Sequence, residues 1–212
     1  MRARLDPAKQ QAFIEAYGAL LNGLPADEAV LFADAVHPTH AARPVGCWAP
    51  KEMKVALDQS SGRERLNIHG AVDLETGRTC MLDAVAVDAM TTIALLAMIE
   101  AAYPFMRCIH VFLDNARYHH ARAVQEWLAR PECRIQLHFI PAYSPHLNPI
   151  ERLWGLMHRH LTHNKCYASY SAFCDALLDF LRDEVPARWD TFRDSVTDNF
   201  RVIAPEEFRV LS

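Results

Sequence analysis

The sequence predicts an α/β fold, a mixed sheet with helices on both faces, and three observations predict it. Short apolar runs end in acids: Ala29-Val30-Leu31-Phe32-Ala33 leads to Asp34, and Ile109-His110-Val111-Phe112-Leu113 leads to Asp114. Segments of helical period alternate with further apolar runs in the second half of the chain. The 212 residues, 51% of them hydrophobic, suffice for one substantial domain with a well-buried core.

Pro7 to Leu21 reads as a helix, with Asp6 as N-cap and Pro7 at its first position. Phe13, Ile14, Tyr17, Leu20 and Leu21 share one face, and Gly23 is a natural stop. Val30 to Asp34 is a short buried strand. Val45 to Trp48 and Arg65 to Val72 continue as strands, with the turn-rich stretch Asp58 to Gly62 between them. Asp73 to Gly77 makes a hairpin connection to a strand over Cys80 to Val87. Thr91 to Tyr103 is helical and Pro104 stops it. Cys108 to Leu113 is a strand, Ala121 to Ala129 a helix, and Arg134 to Ile140 a strand. Asn148-Pro149 supplies an N-cap and first position for a helix over Ile150 to His163. Ser171 to Asp183 is a further amphipathic helix. Trp189, Phe192, Phe200 and Phe208 are expected to pack back on the core. The order is three antiparallel strands, helix, strand, helix, strand, helix. The chain divides into an N-terminal helical lead (1–28), a core (29–185) and a C-terminal extension (186–212).

No apolar stretch reaches the ~18 residues of a membrane span, and Met1 to Gln11 lacks the apolar centre of a secretory signal. A cytoplasmic protein is expected. Six scattered cysteines (Cys47, Cys80, Cys108, Cys133, Cys166, Cys174) form no CxxC pair and read as free thiols. The net charge of −4 argues against a domain that grips nucleic acid tightly by itself, because Lys and Arg contacts to phosphate dominate such affinity.

Three carboxylates carry the chemistry. Asp34 and Asp114 end buried runs, and Glu151 opens a helix after the turn Ser144-Pro145-His146-Leu147-Asn148-Pro149. Acids so placed are costly unless paired or bound to a cation. Hard oxygen ligands suit Mg²⁺, with Mn²⁺ as substitute. Two such ions suit in-line displacement at a phosphodiester. The plainer readings are a strand-terminal cap for Asp34, an Asp-Asn turn for Asp114 and a dipole-favoured first-turn acid for Glu151. Asp83 competes with Asp34 but lies inside a strand. Asn115 either orients Asp114 or is a turn residue. His119 and His120 either meet phosphate or are solvated. Asn148 reads first as an N-cap and second as a support for the site. Trp154 lies three residues after Glu151 on the same helix face and reads first as a packing residue and second as a platform for base stacking. Arg152, Arg159 and Lys165 are either phosphate contacts or solvated surface. His158, His160, His163 and Cys166 lack zinc-like spacing.

The strings LDNARYHH (113–120) and PAYSPHLNPIERLW (141–154), with 36 residues between Asp114 and Glu151, resemble the catalytic core of bacterial insertion-sequence transposases of the mariner superfamily. The segment LFADAVHPTH (31–40), with Trp48, resembles their first-aspartate region, although Ala35 stands where many relatives carry another acid. The resemblance runs from about Asp6 to about Leu181. It implies a ribonuclease-H-like fold and Asp34, Asp114 and Glu151 as catalytic metal ligands for two Mg²⁺ ions. It also implies cleavage of double-stranded DNA followed by strand transfer, by a homodimer that joins two element ends. Such proteins carry N-terminal helix-turn-helix modules, which this sequence does not contain. It therefore reads as a truncation or one product of a split frame. The alternative function is a non-catalytic regulator that dimerises with the intact protein.

Overall fold

A computed structural model describes residues 5–46, 48, 50 and 64–204. Five strands, β1 (Glu28–Val36), β2 (Asn67–Asp73), β3 (Thr79–Ala84), β4 (Cys108–Leu113) and β5 (Ile135–Phe139), form one sheet in the order β3-β2-β1-β4-β5. β3, β2 and β1 pair antiparallel, and β1, β4 and β5 pair parallel. The helices are α1 (Pro7–Asn22), α2 (Ala89–Ala102), α3 (Arg122–Leu128), α4 (Ile150–Leu161), α5 (Tyr170–Asp179), α6 (Val185–Ala187) and α7 (Trp189–Phe192). A π-helical stretch over Phe180–Glu184 continues α5.

Alternation along the central strands sends side chains into two cores. Phe32 and Phe112 join the core that α1, α4, α5 and the C-terminal residues cover. Leu31, Ala33, Val111 and Leu113 join the one beneath α2 and α3. Helices thus lie on both faces, and β2 is buried along its full length. On the first face Tyr17 of α1 meets the rings of Phe32 and Phe112 at 5.6 and 5.3 Å. Phe200 closes over Tyr17 at 5.2 Å. Gln10 of α1 fastens the same segment, accepting from the Ile203 N–H at 2.8 Å.

The expected elements form, with three corrections. Residues 45, 46 and 48 are not a strand: Val45 exchanges backbone hydrogen bonds with the Asn164 side chain, and Trp48 is fully exposed. The run is apolar but too short, with Gly46 inside it, and Pro44 and Pro50 flank it where the sheet would need N–H donors. β1 continues past Asp34 to Val36, because β2 goes on pairing with it through Val36 and Ile68. Asn148 does not cap α4. Pro149 precedes the helix, and the Asn148 side chain turns elsewhere. Trp189, Phe192 and Phe200 pack on the core as expected. Phe208, Cys47 and the Asp58–Gly62 turn lie outside the described residues. Cys80, Cys108, Cys133, Cys166 and Cys174 are free thiols. Among the described residues, no helix is long and apolar enough to cross a membrane.

Candidate functional site

The sheet changes direction of growth between β1 and β4: the chain builds outward through β2 on one side and through β5 on the other. Such switch points leave a crevice at the carboxyl ends of the two parallel strands. Phe32 registers with Phe112, so Asp34 and Asp114, each two residues on, emerge together there and on the same face. The Pro145–Leu147 turn then brings α4 across, and Glu151 in its first turn completes the set. The three acids share a cleft of about 360 Å³ with Asn115, Tyr143 and Asn148. All three are brought together as the sequence predicts.

The carboxyls differ in environment. Burial first, and then the neighbouring Glu151 carboxylate, pushes Asp34 up to about 7. Burial, and then the charge of Asp114, raises Glu151. Asp114 goes the other way: a hydrogen bond from His119 holds it below the ordinary carboxylate range. Two raised carboxyls beside a depressed one mark crowded negative charge that a cation would relieve. The donors suit a hard ion, since every one is oxygen. Asn148 adds a further oxygen, for its Oδ1 is buried without a hydrogen-bond partner while its Nδ2 donates to the Ala33 carbonyl at 3.1 Å. That bond ties the loop to β1 one residue before Asp34.

A second layer holds the acids. Trp154 donates from Nε1 to Asp34 Oδ2 at 3.1 Å. The indole fits because β2 offers Gly70 opposite Asp34; a Cβ there would stand 2.4 Å from Met81 Sδ and 3.0 Å from the indole. His119 is buried, with Nε2 3.3 Å from Asp114 Oδ1 and Nδ1 3.4 Å from Thr92 Oγ1. It is neither solvated nor open to a phosphate. Asn115 Oδ1 meets His120 Nε2 at 2.5 Å, and both are exposed. Arg152 points into the protein and donates to the carbonyls of Thr197 at 2.6 Å and His146 at 3.3 Å. Arg159 and Lys165 are exposed on and beyond the far end of α4, outside the cleft. Asp83 is excluded as a competitor, because it pairs with Arg182 at 2.8 Å on β3. Thr92 and His69 escape sequence reading. Neither sits in a motif, and only the fold sets them beside His119.

The comparisons with known proteins agree with this geometry. Residues 29–174 match the family described as DDE superfamily endonuclease. The chain belongs to the DDE superfamily of endonucleases. A curated relative of this DDE domain is the insertion element IS630 uncharacterized 39 kDa protein of Shigella sonnei, 26% identical over 160 residues. That match covers 75% of the chain and 46% of the relative, so the chain spans about half the relative's length. Among solved structures, the Mos1 strand transfer complex superimposes with a TM-score of 0.62 at 17% identity, covering 95% of this chain and 65% of that one. The catalytic domain of Mos1 mariner transposase gives 0.51 at 17% identity, covering 92% of this chain and 93% of that domain. Other Mos1 neighbours are paired end complexes with Mg and with Mn. The DDE domain has the ribonuclease-H-like fold that these structures share.

His69 gives the domain a pH dependence of its own. Burial first, and then the adjacent His119, pushes it down to about 4. An unfolded histidine titrates near about 6.5. Below that pH the unfolded chain takes up a proton that the fold refuses. Stability owed to neutral His69 is therefore intact above about pH 6.5 and falls by roughly 3 kcal/mol as the pH drops to about 4. Urea midpoints measured across that window should fall less in His69→Leu than in the parent. Equal losses would show that His69 does not control the slope.

Proposed function

We propose that this chain is the catalytic domain of a transposase that cuts double-stranded DNA and joins the freed end to a target, using Mg²⁺ or Mn²⁺. The observation that carries the reading is the meeting of Asp34, Asp114 and Glu151 in one cleft at the switch point of the sheet. The catalytic residues are these three acids, held on residues 29–185, with 1–28 and 186–212 as flanking segments. They would hold two divalent ions. Bound there, the ions supply Lewis-acid activation of the attacking oxygen and neutralise charge on the leaving one.

The protein's own groups set up the reaction. His119 holds the Asp114 carboxyl below its ordinary range, the Trp154 indole fixes the rotamer of Asp34, and Arg152 anchors α4 so that Glu151 faces the cleft. Asn148 stands ready as a further oxygen donor, and Asn115 borders the same opening. In the first step a water oxygen attacks the phosphorus at the element end, and the bond to the 3′ oxygen breaks. In the second, that 3′-hydroxyl attacks a phosphorus of the target, and a target 3′ oxygen leaves. The protein forms no covalent bond to DNA. Arg159 and Lys165 are exposed cations available to flanking phosphates. With a net charge of −4, the domain relies on recognition modules outside these residues, of helix-turn-helix type, for most of its grip on DNA. Two copies acting on two ends form the working complex.

The test is a crystal soaked in Mn²⁺ and measured at the manganese edge, beside a soaked Asp114→Ala crystal. An anomalous peak among the three acids that vanishes in the variant is expected. A peak elsewhere, or one that survives the substitution, would overturn the assignment. Trp154→Phe keeps the aromatic packing and removes the bond to Asp34. Strand cleavage by this variant should fall about 10- to 100-fold, the usual effect of losing a group that orients a metal ligand. Unchanged cleavage would make Trp154 a packing residue only.

A further inference from the structure

At the opposite ends of β1 and β4 from the acids, about 20 Å along the strands, lies a second cluster of ligating atoms. Glu28, Cys108 and His110 bring a carboxylate oxygen, a thiol sulfur and an imidazole nitrogen within 4.8 Å of one another. Among the described residues this is the one group of three His, Cys, Asp or Glu side chains that does so. Backbone register explains it: Glu28 pairs with Cys108, and His110 follows two residues later on the same face.

The surroundings favour a bound cation. Glu28 and His110 are nearly closed off from solvent, at 11% and 6% side-chain exposure. Arg107 pairs with Glu28 Oε1, leaving Oε2 turned to His110 Nε2 at 2.8 Å. On its other side His110 meets His138 across a 2.9 Å contact from Nδ1 to Nε2. The His138 ring is itself pinned against Phe112 at 4.6 Å. With the inter-ring proton on His138 Nε2, His110 donates from Nε2 to Glu28; with it on His110 Nδ1, the Nε2 lone pair faces the carboxylate and a cation between them satisfies both. Cys108 Sγ, whose other polar contact is a long one of 3.8 Å to Gln136 Oε1, favours the second arrangement by setting a soft ligand beside both.

We propose that Glu28 Oε2, Cys108 Sγ and His110 Nε2 form a binding site for Zn²⁺ or a similar borderline transition metal, with the fourth position open. Mixed nitrogen, sulfur and oxygen ligands suit such ions and disfavour Mg²⁺. The acid cleft and this cluster would therefore sort metals between them. His138 acts as a positioning residue, accepting a hydrogen bond from His110 Nδ1–H at its own Nε2 and so fixing the His110 tautomer. The ion links the first residues of β1 and β4, and its binding releases the Cys108 thiol proton to solvent.

The test titrates the metal-free chain with Co²⁺ and then Zn²⁺. One equivalent of Co²⁺ should raise a thiolate-to-cobalt charge-transfer band in the near ultraviolet, and Zn²⁺ should bleach it. The band should be absent in Cys108→Ser and present in Asp114→Ala and Cys166→Ser. Loss of the imidazole that meets His110 Nδ1, in His138→Leu, should weaken Zn²⁺ about 10- to 100-fold. Circular dichroism of each variant confirms folding. No band in the parent chain, a band that persists in Cys108→Ser, or one lost in Cys166→Ser would overturn the site.

Discussion

Asp114→Asn should abolish strand cleavage and leave the fold intact. The substitution keeps an oxygen that can accept the Ala116 N–H, now 3.1 Å from Oδ1, and the side chain is 56% exposed, so no core packing is disturbed. What disappears is the one carboxylate of the three held below the ordinary carboxylate range, by the hydrogen bond from His119. Removing a group aimed at developing charge costs a factor of about 10²–10³, and here the loss extends to the ion itself. Cleavage of a labelled duplex bearing element ends should fall by at least that much in Mg²⁺. The melting temperature should stay within about a degree or two, since surface substitutions away from packing cost under about 0.5 kcal/mol. Retained cleavage would remove Asp114 from the mechanism. Lost cleavage with a collapsed melt would mean that it serves the fold.

The second large effect lies far from the acids. Gly77, in the turn between β2 and β3, has φ +73°, and a Cβ there would stand 2.2 Å from Trp189 Cγ. The indole cannot move aside easily: it is buried at 7% exposure, and Nε1 donates to the Leu74 carbonyl at 3.2 Å. Gly77→Ala therefore incurs both the left-handed penalty of about 1–2 kcal/mol and an overpacking cost of about 1–3 kcal/mol. A calorimetric melt should fall by roughly 10 °C. Gly18→Ala is the control. It sits on α1 with no atom within 4 Å of the new methyl, and it should be neutral or stabilising. In a double-mutant cycle with Trp189→Ala the overpacking part should shrink, because the ring contacts at 2.2 and 2.5 Å go while the one to the Trp189 Cβ at 2.5 Å stays. Strict additivity would show that backbone strain alone accounts for the loss.

Much of this was legible in the sequence because single residues were doing two jobs. The run over 108–113 reads as a strand and ends where the strand ends, since Asp114 both stops the apolar run and bends toward the Ala116 N–H. Glu151 announces itself through the Pro-rich turn that must precede it. The misreadings share a cause. Asn148 before Pro149 has the sequence of a cap, yet its side chain found a better partner in the Ala33 carbonyl, 115 residues away. Val45 to Trp48 has the composition of a strand, but Gly46 and the flanking Pro44 and Pro50 suit no ladder. Val45 is tied instead to Asn164 after α4. His119 could be named but not placed, because its burial depends on Thr92 and His69 arriving from other elements. Arg152 shows the same limit: its neighbour Glu151 suggested a phosphate contact, while its real partners are backbone carbonyls.

That guanidinium has a consequence for how the molecule tolerates shortening. One residue from Glu151, it clasps the Thr197 carbonyl, 45 positions later in the chain, together with the His146 carbonyl in the turn before α4. The aim of the third acid is thus braced by a stretch that contributes no ligand. A product ending just before Thr197 would carry all three cleft carboxylates and still lack the strut that steadies one of them.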